Sequence, residues 1–172
     1  MPKHPFTDRD DWKLFIGGER VAGNAPPIEI VNPATGEVLG EAPTANEDDV
    51  AAAVAAAKEA FRSWRWTVPE QRAGMLFRIA DTIHAHRDEL IDLETWENGK
   101  PRAQSATDVI NAERTFRFYA AAADKFYGQA LVDTRDEVRK TIFEPYGVVA
   151  AVIPWNWPPM HTADFGALAL AT

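Results

Sequence analysis

The 172 residues include no cysteine, which excludes disulfides and thiolate metal sites while saying little about compartment. No apolar run approaches the roughly 18 residues that cross a bilayer. The opening Met1-Pro2-Lys3-His4-Pro5-Phe6 lacks the apolar core of a secretory signal, so the cytoplasm is the expected location. Positive charge is scarce: 18 Lys and Arg stand against 26 Asp and Glu, a net charge of −8, which argues against a nucleic-acid or anionic-membrane partner. Histidine is limited to four residues, and they suggest no metal site. His84 and His86, two apart on a helix, point to different faces; His4 and His161 stand alone. What is there is 46% hydrophobic and 26% charged, a soluble globular composition long enough for one core.

Residues 1–11 are polar and carry proline, and read as a loose arm. Trp12 to Val21 reads as two short strands around Gly17-Gly18, which supply the positive φ of a tight turn. Ile28 to Val31 and Val38 to Ala42 form a second pair across Asn32-Pro33-Ala34-Thr35-Gly36. Asn46 with Asp49 three residues later forms a capping box, after which Val50, Val54, Ala57, Phe61 and Trp64 give one apolar stripe. Pro69 opens a second helix with Leu76, Ile79, Ala80 and Ile83 facing inward. Leu90, Ile91 and Leu93 continue a third, stopped by Asn98-Gly99. A long fourth helix runs from Pro101 to Gly128 with Val109, Ala112, Phe116, Tyr119, Ala123 and Phe126 on one face. Val138 to Glu144 alternates as a strand.

The richest segment follows Glu144. Gly147 opens the run Val148 to Ile153, β-branched and short enough for a fully buried strand of a parallel sheet. Pro154, Trp155, Asn156, Trp157, Pro158 and Pro159 then make a rigid turn that exposes the Asn156 amide at the strand's carboxyl end, where open α/β sheets bind ligands. On the residues alone, Asn156 serves either a ligand or an Asx-type bond within its own turn.

Glu144-Pro145-Tyr146-Gly147-Val148-Val149 leading into Ile153-Pro154-Trp155-Asn156-Trp157-Pro158 resembles the opening of the cofactor domain in the NAD(P)-dependent aldehyde dehydrogenase superfamily. Phe15-Ile16-Gly17-Gly18-Glu19, Val31-Asn32-Pro33-Ala34-Thr35-Gly36-Glu37, Glu97-Asn98-Gly99-Lys100-Pro101 and Phe118-Tyr119-Ala120 with Ala123-Asp124-Lys125 follow the family's order. The resemblance covers essentially the whole chain but only about the first third of a family member.

It implies an α/β fold that is the incomplete N-terminal part of that of an aldehyde dehydrogenase. An arm over 1–11 would precede strands and a four-helix layer over 12–128. An oligomerisation-arm strand over 129–145 and the first β-α segment of a Rossmann-like domain over 146–172 would follow. In the complete enzyme a cysteine forms a thiohemiacetal with the aldehyde, hydride passes to NAD or NADP, and water releases a carboxylic acid. Here Asn156 would donate its side-chain N–H to the substrate oxygen as charge develops, worth ~3 kcal/mol. Val152, Ile153, Pro154 and Trp155 would line the cofactor's path. Phe165 departs from the pattern, standing where many members carry a lysine that contacts the adenosine ribose.

With no cysteine, the chain alone is expected to be silent and to bind cofactor weakly or not at all. Its expected partners are a small aldehyde in the complete enzyme, and copies of itself or a complementary C-terminal part. A non-catalytic module that docks with aldehyde dehydrogenase subunits is the alternative. Glu94, Glu97 and Lys100 read as surface ion pairing worth a fraction of a kcal/mol, and the tryptophans of the helical region, Trp64, Trp66 and Trp96, as core packing. The tail Phe165 to Ala171 is expected to have no layer to cover, and residues 148–153 no sheet neighbours, which favours association.

Overall fold

Three two-stranded antiparallel sheets and five helices make up the computed structural model, which describes residues 12–132 and 137–172; the expected arm over 1–11 lies outside the described residues. In chain order the elements are β1 (Leu14–Ile16), β2 (Glu19–Val21), β3 (Ala25–Val31), β4 (Val38–Thr44), α1 (Glu47–Trp64), α2 (Pro69–Ala85), α3 (Arg87–Asn98), α4 (Arg102–Ala122), β5 (Ala130–Val132), β6 (Val138–Lys140) and α5 (Pro158–Ala171).

The two N-terminal hairpins form where the turn chemistry places them. Gly17 and Gly18 both take positive φ, 63° and 88°, and bring Leu14 opposite Val21. Between β3 and β4, the Asn32 side chain accepts from the Ala34 N–H at 2.9 Å while its carbonyl accepts from Gly36 at 2.8 Å. The capping box of α1 closes in both directions at 3.0 Å, Asp49 N to Asn46 Oδ1 and Asn46 N to Asp49 Oδ2. Asp49 also accepts from the Asn24 backbone at 2.9 Å, which ties the β2–β3 connection to the helix start. Backbone donors from Asn24 and Asn46 hold its carboxyl below the ordinary carboxylate range.

The core lies between α2, α4 and α5. Leu76 and Ala80 of α2 meet Ala112, Phe116 and Ala120 of α4, and Ala163, Ala167 and Ala171 of α5 close the cluster. Alanine at every fourth position of α5 gives that helix a small-residue face that sits close against its neighbours. The expectation that the tail covers nothing is thus corrected on this face, while Phe165 and Leu168 on the other face stay 45% and 43% exposed.

Four further expectations need correction. The α1 stripe is only partly covered: Val50 and Val54 remain exposed, while α1 packs on β1 and, through Phe61, on the Gly147 segment. Helix α4 ends at Ala122, six residues before Gly128, and Phe126 lies beyond it on the surface. The strand expected over Val138 to Glu144 is confined to Val138–Lys140, paired to β5, with Thr141 N donating to Gln129 O at 2.8 Å. Trp66 is not core but 75% exposed, its ring beneath the Arg65 guanidinium at 5.0 Å.

The run Val148 to Ile153 has no sheet neighbours among the described residues, as expected, but it is not the buried strand that its composition suggests. No strand pairs with it among the described residues, and Val149 and Val152 are exposed, the latter at 98%. A β-branched sequence is a strand only when a neighbour satisfies its backbone, so the composition is right and the pairing absent.

A partly exposed hub of charged side chains joins α2, α3 and α4. Glu113 accepts from Arg87 Nη2 at 2.7 Å and Arg117 Nε at 3.1 Å, and meets His84 Nδ1 at 3.1 Å. Burial pushes its carboxyl up, but hydrogen bonds from Arg87, Arg117 and His84 outweigh it and hold the pKa down at about 2, from an ordinary 4.5. A depressed carboxylate contributes stability that is present above its unfolded pKa and lost as pH falls through 4.5 towards 2. The partly exposed partners screen that contribution, leaving it on the order of 2 kcal/mol. Glu113→Gln should remove that part of the acid sensitivity, so urea midpoints of the two proteins should differ at neutral pH and converge near pH 2. Parallel acid profiles would disprove the assignment.

Candidate active site: the Asn156 turn and its buried clamp

The turn over residues 154–157 runs directly into α5. Pro158 takes the first helical position, where its missing N–H costs nothing, and His161 N closes the first turn on Trp157 O at 2.9 Å. Asn156 lies exposed at the tip. Among the described residues its side-chain amide has no hydrogen-bond partner; the bonds at this residue go to its carbonyl. The Asx-type bond, open on sequence grounds, does not form.

The main chain of the turn is held from below by the end of α3. Gly99 adopts the left-handed conformation, φ 73°, that terminates the helix, and this reversal lets the side chains on either side of it reach one target. Asn98 Nδ2 donates to Trp155 O at 3.1 Å and lies 3.5 Å from Asn156 O. Lys100 Nζ donates to Asn156 O at 2.6 Å, to Glu94 Oε1 at 2.7 Å and to Asp108 Oδ2 at 2.9 Å.

This corrects the sequence reading of Glu94 and Lys100 as a surface pair. The Lys100, Glu94 and Asp108 side chains are only 7%, 2% and 8% exposed. The αL turn at Gly99 folds Lys100 back between α3 and α4 instead of into solvent. Burial draws the Lys100 ammonium down, but the two carboxylates more than compensate and leave its pKa above the ordinary lysine value. Burial pushes the Glu94 carboxyl up against the pull of Lys100, and its Oε2 is buried without a partner. Glu97 is also raised by burial but makes no bond to the turn.

Gly99 is therefore a geometric requirement. A Cβ there would stand 2.8 Å from Pro33 Cγ and 3.1 Å from Ala34 N, on top of the ~1–2 kcal/mol that a left-handed residue costs. Gly99→Ala should lower stability by about 2 kcal/mol or more, read as a lower urea midpoint; a loss under about 0.5 kcal/mol would refute the steric argument.

The residues expected to wall a cofactor lie in one extended stretch leading to the turn. Val152 and Trp155 are open, at 98% and 76%, and Ile153 is 38% exposed; Pro154 is exposed between them. They lie in one extended stretch leading into Asn156 and stand open to solvent. An apolar cavity of about 340 Å³ lies on the other side of the turn, against Leu90, Leu93, Glu94, Phe116, Pro158 and Pro159. A second of about 560 Å³ runs between α1, α2 and α5, lined by Phe61, Trp64, Met75, Val148, Val149 and Leu170. Phe165 sits on the open face of α5. His161 is not isolated: its Nδ1 is 3.7 Å from Asp164 and its ring 5.8 Å from Trp157.

Sequence reasoning missed Asn98 and Asp108. The Asn98-Gly99 pair signals a helix stop and says nothing of a bond to a distant carbonyl, and Asp108 lies on α4 while Lys100 lies in the connection before it, so no helical spacing links the two.

Residues 21–172 match the aldehyde dehydrogenase family model. Malonate-semialdehyde dehydrogenase 3 of Geobacillus kaustophilus is 40% identical over 168 residues, covering 96% of this chain and 35% of that protein. An aldehyde dehydrogenase of Enchytraeus buchholzi is 40% identical over 88% of this chain and 31% of its own length. A point mutant of the Bacillus cereus aldehyde dehydrogenase superposes over 100% of this chain and 36% of its own, with a TM-score of 0.93 at 37% identity. Betaine aldehyde dehydrogenase from Staphylococcus aureus, in complex with NAD+, gives a TM-score of 0.89 at 34% identity over 94% of this chain and 33% of its own. These strands and helices are thus the N-terminal portion of an oxidoreductase fold. The chain belongs to the aldehyde dehydrogenase family, and it spans about a third of the length of its relatives.

Proposed function

We propose that this chain supplies the oxyanion donor and part of the cofactor wall to an NAD(P)-dependent aldehyde dehydrogenase, and that by itself it does not oxidise aldehydes. The observation that carries the reading is the Asn156 amide: exposed, unbonded among the described residues, and mounted on a turn whose carbonyls are tied down by Asn98 and Lys100. An amide N–H already aimed at a developing alkoxide loses little energy in reorganising as charge builds on the substrate oxygen. The aldehyde carbon would be attacked by a cysteine that this chain lacks, so attack needs a complementary part.

The apolar row of Val152, Ile153, Pro154 and Trp155 suits the face of a nicotinamide ring, which when bound accepts the hydride. Phe165 supplies no cation for a dinucleotide ribose, so weak binding of NAD or NADP by the chain alone is the expectation. Residues 12–128, 129–145 and 146–172 serve, in this reading, as the strand-and-helix layer, the oligomerisation arm and the first β-α segment of the cofactor domain. The β5–β6 hairpin would pair between cytoplasmic subunits.

A second reading, a non-catalytic module that docks on aldehyde dehydrogenase subunits, is favoured by the exposed apolar row and by a backbone over 148–153 that pairs with no strand among the described residues. One assay separates the two. The purified chain is given a panel of aldehydes with NAD or NADP, alone and mixed with a separately produced C-terminal part carrying the cysteine. Turnover only in the mixture supports the enzyme reading. Stable association without turnover supports the docking module, and turnover by the chain alone defeats both.

A further inference from the structure

We propose that Lys100 and Asn98 are positioning residues for Asn156, acting as a two-point clamp that fixes the backbone torsions of the donor; the proposal rests on the oxyanion reading above. Asn98 holds the carbonyl of Trp155 at 3.1 Å, in the peptide plane before the Asn156 Cα. Lys100 holds the carbonyl of Asn156 at 2.6 Å, in the plane after it. With both flanking planes anchored, φ and ψ of Asn156 are set, and with them the direction of its Cα–Cβ bond. Only the two side-chain torsions remain to aim the amide.

Helix packing alone does not account for this arrangement. Pairing α3 to α4 is already served by the Thr95 Oγ1 donation to Ser105 Oγ at 2.9 Å. A buried ammonium is costly to desolvate and its geometry must use its donors well. Lys100 has three protons; two go to Glu94 and Asp108, and the third goes to a carbonyl 56 residues away in sequence. The carboxylates fix where the ammonium sits, and the ammonium fixes where the turn sits. The turn has little else to fix it on its N-terminal side, because Val148 to Ile153 has no strand partner among the described residues. A charged donor on the main chain is also a strong one, roughly twice a neutral hydrogen bond.

The test uses two variants that leave no unmatched buried charge. Asn98→Ala removes one anchor; the triple variant Lys100→Met with Glu94→Gln and Asp108→Asn removes the other and keeps the cluster neutral. In isotope-labelled 172-residue chain, the wild type should give a single sharp Asn156 side-chain amide pair. In each variant that signal should broaden or split and the Asn156 Cα shift should move towards its unstructured value, while the amides of Ala112, Ala120 and Ala167 in the core stay in place. A merely structural role would move the core amides or nothing. Unchanged Asn156 signals in both variants would overturn the clamp.

Turnover of the chain assembled with its C-terminal part then separates this proposal from the reading beneath it. Asn98→Ala should lower kcat about tenfold or more with KM within about twofold, since a small misplacement of a catalytic group is expensive. If Asn156→Ala leaves kcat unchanged, the oxyanion reading fails while the amide spectra still decide the clamp. If Asn156→Ala abolishes turnover but both clamp variants retain full kcat, the positioning proposal is overturned.

Discussion

Lys100→Met is expected to destabilise the chain by about 3–5 kcal/mol, the range seen when one member of a buried ion cluster is removed and its partners stay. Glu94 and Asp108, 2% and 8% exposed, would face each other without a counter-charge, and Glu94 Oε2 already lacks a partner with the lysine present. The sign of the pH dependence follows. Burial raises the Glu94 carboxyl in the folded state, and loss of the ammonium raises it further. A raised carboxyl favours folding below its unfolded pKa and loses that contribution as pH climbs through the folded value.

The deficit of Lys100→Met relative to wild type should therefore shrink as pH falls and the raised Glu94 carboxyl takes up a proton. Urea midpoints at several pH values measure it. The neutral triple variant supplies the control: replacing every member of a buried charge cluster by uncharged groups of similar size is often close to neutral, so it should keep most of the wild-type midpoint. A Lys100→Met loss below about 1 kcal/mol, or one that grows in acid, would show that the cluster is solvated in solution.

Much of this fold was legible because local chemistry decides it. Gly17-Gly18, the Asn32 to Gly36 turn, the Asn46 box and the Asn98-Gly99 stop each impose backbone geometry through residues a few positions apart, and each sits where the sequence places it. Apolar periodicity likewise names Leu76, Ala80, Ala112 and Phe116. The failures share a cause of the opposite kind. Whether Val148 to Ile153 is a buried strand, whether Val50 is covered and whether Lys100 is buried depend on contacts between segments distant in sequence, and a pattern of residue types does not encode those distances.

The site divides along the same line. Asn156 and the apolar residues before it were visible as a motif, because proline on either side of a lone amide implies a rigid presentation. Asn98 and Asp108 were not, because their roles are set by where a helix terminus docks. Lys100 reads as a surface residue in sequence, because a lysine after glycine at a helix end is one in most chains; its burial between Glu94 and Asp108 and its 2.6 Å contact to a carbonyl 56 residues on show otherwise.

Asn156→Ala, introduced into this chain and assayed with the cysteine-bearing C-terminal part, should lower kcat by a factor of about 100–1,000 with little change in KM. The split between the two constants is the substance of the prediction. The donor's partner is an oxygen that carries full negative charge only after attack on the carbonyl, so the amide contributes more in the transition state than in the bound aldehyde. Removing it should spare substrate binding and raise the barrier by ~3–4 kcal/mol. Stability should hardly move, because the Asn156 side chain is exposed and bonds to nothing among the described residues, and the carbonyl that Lys100 grips belongs to the main chain and survives the substitution. A single change that costs two orders of magnitude in turnover yet leaves the urea midpoint within about 0.5 kcal/mol of wild type separates a chemical role from a structural one. If KM rises while kcat holds, Asn156 binds ground-state substrate and is no oxyanion donor.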